Sequence, residues 1–253
     1  LDWAVNTPET SVAARRAELA ESLATVEARI VDACAAAGRP REAVRLLAVT
    51  KTFPALDVAL LSDLGVCDVA ENRDQEAGEK VDDVARLRPD AAQRWHMVGR
   101  LQRNKARSVA RWAAEVQSVD SGRLAEALAK GVQAALDQGE RAEPLDVLIQ
   151  VSLDGDPARG GCPIGELAPL AERIARLGDL RLRGLMAVAP IGADLDAAFE
   201  LLARAGEELR EDYPNATELS AGMSNDLERA IVHGSTCVRV GTALLGGRGL
   251  ASP

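Results

Sequence analysis

The stretch Arg45-Leu46-Leu47-Ala48-Val49-Thr50-Lys51 is the first in this chain that reads as a buried strand, a short apolar run closed by a lysine. Seven more such runs follow, over 67–70, 95–98, 116–119, 145–151, 182–188, 217–220 and 238–240. Helical patterns separate them, over 56–64, 75–87, 104–112, 121–138, 165–177, 195–212 and 226–232. Eight strands alternating with helices predict an α/β fold, a single TIM-like (β/α)8 barrel, for which 253 residues is an ordinary length. An open doubly wound sheet is the alternative topology. Upstream, Val12, Leu19, Leu23, Val26, Ile30 and Cys34 recur at helical spacing. They predict an additional N-terminal helix over 8–37, begun by Pro8 and ended by Gly38 and Pro40. Its apolar stripe either packs across the barrel or forms a dimer seam. With no Pro/Ser-rich linker and no low-complexity tract, residues 1–253 read as one domain, the barrel occupying 45–248.

A net charge of −9, a pI near 4.9 and only 2% aromatic residues disfavour nucleic-acid binding. The four cysteines, Cys34, Cys67, Cys162 and Cys237, show no paired spacing, and His96 and His233 lie far apart, so no dedicated metal site is expected. No apolar run approaches membrane length, and Leu1-Asp2-Trp3-Ala4 lacks a basic-then-apolar leader pattern. The expectation is a cytoplasmic protein.

Four lysines stand among thirty basic residues. Lys80 and Lys130 fall in amphipathic helical patterns and Lys105 at a helix start, where a solvated lysine is ordinary. Lys51 alone ends an apolar strand. An ammonium that is partly desolvated, or close to other cations, loses its proton more readily, and the neutral amine is the nucleophile of a Schiff base. In a barrel the functional site lies at the carboxyl ends of the strands. Here those ends carry Lys51, Asn72, His96 to Gly99, Asp120, Gln150, Met186 to Pro190, Ser220 to Ser224, and Arg239 to Thr242.

Two of these segments belong together. Ser220-Ala221-Gly222-Met223-Ser224-Asn225-Asp226 and Arg239-Val240-Gly241-Thr242 follow the seventh and eighth strands, where many barrels hold a phosphate. Ser224 or Asn225 can cap the next helix, while Gly222 and Gly241 let the backbone approach an anion. Plain capping and tight turns explain either loop singly; the pair at this location favours phosphate. His96, in Trp95-His96-Met97-Val98-Gly99, is either a ligand contact or a core histidine bonded inside the barrel. Gly160-Gly161 reads as a lid hinge or a bare loop. Arg100, Arg103, Arg107 and Arg111, at three- and four-residue steps, form a solvated helix face or meet an anionic partner.

A strand-one lysine facing such a cup suits pyridoxal 5'-phosphate, and at this point the chain resembles a known family. It is similar to the pyridoxal phosphate homeostasis proteins of the YggS/PROSC type, single-domain relatives of the alanine racemase barrel. The matching stretches include Leu46 to Thr52, Glu71-Asn72 with Gln75-Glu76, Trp95-His96-Met97-Val98-Gly99-Arg100-Leu101-Gln102-Arg103-Asn104-Lys105, Ser118 to Asp120, Leu185 to Ala187, Leu219 to Asp226 and Gly234 to Thr242. The W-H-x-x-G-x-L-Q-x-N-K stretch is the most specific of them. The resemblance implies that Lys51 carries the cofactor as a Schiff base and that Ser220, Gly222, Gly241 and Thr242 hold its phosphate. It further implies that Arg239 faces the pyridine nitrogen, with Asn72 near the ring and Met223 nearby. This chain departs from the family at Arg73, in place of an aromatic, at Val69-Ala70, in place of Phe-Gly, and at Arg159, in place of a frequent lysine.

An arginine at the ring nitrogen disfavours protonation there and makes the ring a weaker electron sink. Racemases of this fold add a tyrosine from a separate C-terminal domain. Tyr213, the one tyrosine here, sits before the seventh strand. The expected function is therefore a cofactor carrier and buffer in vitamin B6 homeostasis, without a catalytic residue set. It would be a monomer that releases the cofactor to pyridoxal phosphate-dependent apoenzymes. The alternatives are a racemase or decarboxylase on the same cofactor with His96 as acid/base, a phosphosugar aldolase using Lys51, and an interaction protein built on the arginine helix.

Overall fold

The computed structural model describes residues 8–156 and 160–247; Leu1 to Ala4, Arg159 and Arg248 lie outside them. Strands and helices alternate in the order α1 (Pro8–Ala36), β1 (Arg45–Val49), α2 (Ala55–Asp63), β2 (Asp68–Glu71), α3 (Asp74–Leu87), β3 (Arg94–Met97), α4 (Ala106–Trp112), β4 (Glu115–Val119) and α5 (Gly122–Asp137). They continue with β5 (Leu145–Ser152), β6 (Cys162–Pro163), α6 (Leu167–Ala175), β7 (Leu180–Met186), α7 (Leu195–Asp212), β8 (Glu218–Ser220), α8 (Leu227–Val232), β9 (Cys237–Val240) and α9 (Thr242–Leu245). The strand order is β4-β3-β2-β1-β9-β8-β7-β5, and β4 also pairs with β5, so eight parallel strands close into a barrel. This is the expected TIM-like barrel, and the open sheet is excluded.

The short β6 was not foreseen. Cys162 and Pro163 pair with Val151 and Ser152, extending the carboxyl end of β5, and Gly160-Gly161 lead into that pairing. The β5–β7 register shifts between Val147 and Leu148, and Leu148 pairs with Gly184, whose φ is +149°. A Cβ at Gly184 would come within 1.9 Å of the Glu218 carbonyl oxygen on β8, so only glycine lets the strands meet there.

The helix expected over 8–37 is α1. Arg39 N–H donates to the Cys34 carbonyl and Gly38 N–H to that of Ala35, the paired bonds that close a helix before a left-handed residue. Leu19, Val26, Ile30 and Cys34 are buried in one apolar cluster with residues of α2, α8 and α9. Each large side chain buried in this way stabilises the fold by about 1.5–3 kcal/mol. The stripe therefore packs across the chain's own barrel. Arg15 adds a two-point bond to Asp57 (2.7 and 3.1 Å), and Arg29 one to Glu228 (2.6 and 3.0 Å).

Between barrel and helices the packing is apolar, but the barrel interior is not. Leu47, Ala70 and Cys237 form its small apolar cluster, with Val49 and Val98 against them. The buried polar residues include His96, Glu115, Gln117, Ser220 and Arg239. The usual barrel interior is layered with branched apolar side chains. Here a polar network replaces part of that filling. Among the described residues no helix is long and apolar enough to cross a membrane.

Candidate functional site

Lys51 follows the last residues of β1 in a tight turn. Phe53 N–H donates to the Thr50 carbonyl (3.1 Å), closing a four-residue turn with Lys51 and Thr52 at its centre. Thr52 has φ +69°, the only positive φ of a non-glycine residue among those described. Turns of this kind place glycine or asparagine at that position, and a β-branched residue there costs about 1–3 kcal/mol. The strain sits beside the lysine that the sequence singled out.

The turn opens on a cavity of about 520 Å³ at the carboxyl ends of β1, β7, β8 and β9. Lys51, Arg239, Gly241 and Thr242 line it, with Met223, Ser224, Asn225 and Asp226 from the β8–α8 loop. The two loops expected to form an anion cup are tied together: Ala243 N–H donates to the Ser224 hydroxyl (3.3 Å). From behind, Arg29 donates to the Ser224 carbonyl (2.9 Å). Thr242 is the first residue of α9, so its N–H has no acceptor within the helix. Met223 lies at the mouth, 39% exposed.

Other expected contacts sit elsewhere. Gly222 is not in the cavity wall: at φ +92° it turns the chain beneath α8, and a Cβ there would lie 2.7 Å from that of Ala230. Asn72 faces a neighbouring open groove of about 890 Å³, with Arg73, Arg100, Gln102 and Lys105. Ser224 and Asn225, read in the sequence as helix caps within the phosphate loop, line the cavity.

Ser220 is fully buried below the cavity. Its hydroxyl donates to Gln117 Oε1 (2.7 Å) and accepts from Arg239 Nη1 (2.8 Å). Arg239 also donates to the carbonyls of Ser220 (2.7 Å) and Ala187 (2.8 Å). These bonds use three of the five donors of its guanidinium. Among the described residues it forms no ion pair, and burial draws its pKa below the ordinary arginine value. The Ser220 hydroxyl thus links Arg239 to Gln117 beneath the cavity.

His96 lies farther down the same network. Gln117 Nε2 donates to Glu115 Oε1 (2.7 Å), and that oxygen meets His96 Nδ1 (3.1 Å). His96 Nε2 in turn meets Asp68 Oδ1 (2.8 Å). Arg45 reaches Asp68 (3.3 Å), Glu115 (3.3 Å) and Glu218 (2.7 Å), so the first residues of β1, β2, β4 and β8 are joined. Burial by itself would raise the Glu115 carboxyl, yet His96, Arg45 and Gln117 outweigh it and hold it down at about 2. Burial also opposes charge on His96, but its bonds to Asp68 and Glu115 raise its pKa above the ordinary value. With no exposure and both ring nitrogens engaged, His96 is the core histidine of the two readings. It is not among the residues that line the cavity beside Lys51.

A further correction concerns Lys80. It is buried, not solvated, and its Nζ donates to Glu71 Oε1 (2.6 Å) and to the Thr50 carbonyl (2.9 Å). The Thr50 hydroxyl donates to the same Glu71 oxygen (2.6 Å), while Glu71 Oε2 is buried with no partner. The signal was present in the sequence, since Ala77, Lys80 and Val84 share one helical stripe. Arg100, Arg103 and Arg107 are exposed and Arg111 pairs with Glu140 (2.9 Å), the solvated-face arrangement. Tyr213 lines a surface pocket with Arg181 and Arg183 near the start of β7, at the opposite end of the barrel from Lys51.

Comparison with known proteins gives the family of this barrel. The family profile described as alanine racemase, N-terminal domain, matches residues 22–249. A pyridoxal phosphate homeostasis protein of Mycobacterium bovis is 48% identical over 248 residues, 94% of this chain and 96% of its own. A crystal structure of an unknown protein from Bifidobacterium adolescentis superposes with a TM-score of 0.82 at 33% identity, covering 91% of this chain and 96% of that one. PipY of Synechococcus elongatus, solved with pyridoxal phosphate bound, gives a TM-score of 0.76 at 32% identity, covering 90% of this chain and 100% of its own.

Proposed function

This chain belongs to the pyridoxal phosphate homeostasis proteins of the alanine racemase N-terminal-domain family, and from that premise we propose that it carries and buffers pyridoxal 5'-phosphate. The observation that carries the reading is one cavity lined by both a strand-end lysine and a buried guanidinium whose hydrogen bonds, among the described residues, go to two carbonyls and a hydroxyl. Such a cation is costly unless an anion or acceptor joins it. The cavity volume lies within the range for small cofactors.

In this reading Lys51 is the attachment amine. The cofactor's aldehyde condenses with an amine, C=N replacing C=O as water leaves, and water or a second amine reverses the bond. Ser224, Asn225, Gly241 and Thr242 hold the phosphate through hydroxyl and main-chain N–H groups, with Met223 at the edge. Arg239 would offer one of its two remaining donors to the ring nitrogen, and a guanidinium has no proton to give up there. That nitrogen stays unprotonated, which weakens the ring as an electron sink and favours carriage over catalysis. Tyr213, at the far end of the barrel, supplies no second base.

We place the protein in the cytoplasm as a single-domain monomer whose recipients are apoenzymes that use this cofactor. The four cysteines are free, as a reducing compartment would keep them. The test is transfer. Protein loaded with pyridoxal phosphate and freed of excess is mixed with an apo-aminotransferase. Recovery of aminotransferase activity faster than with the same protein carrying Lys51→Ala supports the carrier role; equal recovery rates refute it.

A further inference from the structure

We propose that Lys80, paired with Glu71, is a positioning residue that holds the strained turn presenting Lys51 to the cavity; the proposal rests on Lys51 as the attachment amine. The turn is unfavourable by its own sequence, because Thr52 adopts φ +69° where glycine would be at ease. Strain of this kind persists only where the surroundings over-determine it. They do so here. The Thr50 carbonyl accepts from Phe53 N–H, which closes the turn, and from Lys80 Nζ, which grips the same oxygen from α3. Glu71 Oε1 accepts from both Lys80 and the Thr50 hydroxyl, fixing the residue before Lys51 at main chain and side chain alike.

The side chains of Lys80, Glu71 and Thr50 are all buried, yet none lines the cavity. They act through the backbone of β1 and β2. Thr50 N–H donates to the Ala70 carbonyl (3.0 Å), so the grip spans both strand ends. Of its three donors, Lys80 Nζ gives one to Glu71 and one to the carbonyl oxygen that closes the turn. By engaging it, Lys80 makes the docking of α3 and the pose of Lys51 one event.

The test avoids leaving a lone buried charge by changing both partners, Lys80→Met with Glu71→Gln, and adds Thr52→Gly as the rescue. Three quantities are read: hydrogen exchange at the Phe53 amide, the rate of pyridoxal phosphate attachment, and affinity for pyridoxine 5'-phosphate, which has no aldehyde. In the double variant we expect Phe53 protection to fall and attachment to slow by about tenfold or more, with wild-type affinity for the pyridoxine compound. Thr52→Gly, which lets the turn form unaided, restores both protection and rate. Attachment at the wild-type rate, unchanged Phe53 protection, or a slowing that Thr52→Gly does not relieve overturns the proposal. If the wild-type protein attaches no cofactor, the carrier reading fails, and Phe53 exchange alone then decides the clamp.

Discussion

The two ends of the barrel are lined by similar residue types arranged in opposite ways. At the amino-terminal end Arg45, Asp68, His96, Glu115 and Glu218 satisfy one another, cation against carboxylate. At the carboxyl-terminal end Arg239 is buried and, among the described residues, hydrogen-bonds to carbonyls and a hydroxyl, while Lys51 lines the cavity beside it. One network pairs its charges with each other; the other, in the proposed function, keeps donors for a ligand. The division matches the general separation of stability and function between the two faces of such barrels. Ser220 and Gln117 join the two, because their bonds run from Arg239 to Glu115.

Substitutions should separate the ends. Glu115→Ala leaves the buried His96 Nδ1 and Gln117 amide without their acceptor and Arg45 with one carboxylate fewer, and should cost about 3–5 kcal/mol in unfolding free energy by denaturant titration. Affinity for pyridoxal phosphate in the folded variant should change little. The same end governs the response to pH. Glu115 is depressed in the folded state from 4.5 to about 2, so its contribution is present above pH 4.5 and is lost as pH falls through that window. Its size is about 3 kcal/mol. His96 is raised in the folded state, so its contribution is full below about pH 6.5 and fades as pH rises through the folded value. Stability measured from pH 2 to 9 should follow both trends, and Glu115→Gln should flatten the acid limb.

Arg239→Met should give the reverse of Glu115→Ala. Removing a charged donor should weaken cofactor binding by about ten- to a hundredfold. The unfolding midpoint should move less than in Glu115→Ala, because removing a desolvated cation offsets the loss of its bonds to Ser220 and Ala187. A variant that loses stability but not affinity would break the comparison. At the small end of the scale, Asp83→Ala removes the exposed pair with Arg86 and should shift stability by less than about 0.5 kcal/mol and leave binding unchanged.

The barrel was legible because each strand-to-helix change switches the apolar period. The α7 bounds, 195 to 212, could be read directly, and Asp194 caps that helix by accepting from the N–H groups of Asp196 and Ala197. Lys51 was legible as the polar end of an apolar strand. The interior network was not. The acceptors of His96 come from residues 28 and 19 positions away on other strands, and the partner of Arg239 at Ser220 is 19 positions away. No local pattern reports such pairings. Lys80 was misread because a lysine on a helix is usually solvated, although its place on the Ala77–Val84 stripe marked it as buried. The β6 pairing was missed because two residues, one of them proline, carry no period.

The central claim is tested most directly by adding pyridoxal phosphate, recording the near-visible absorbance, reducing with borohydride and mapping the modified peptide. The account predicts an absorbance band and a single adduct on Lys51. No band, or adducts spread over Lys80, Lys105 and Lys130, would contradict it.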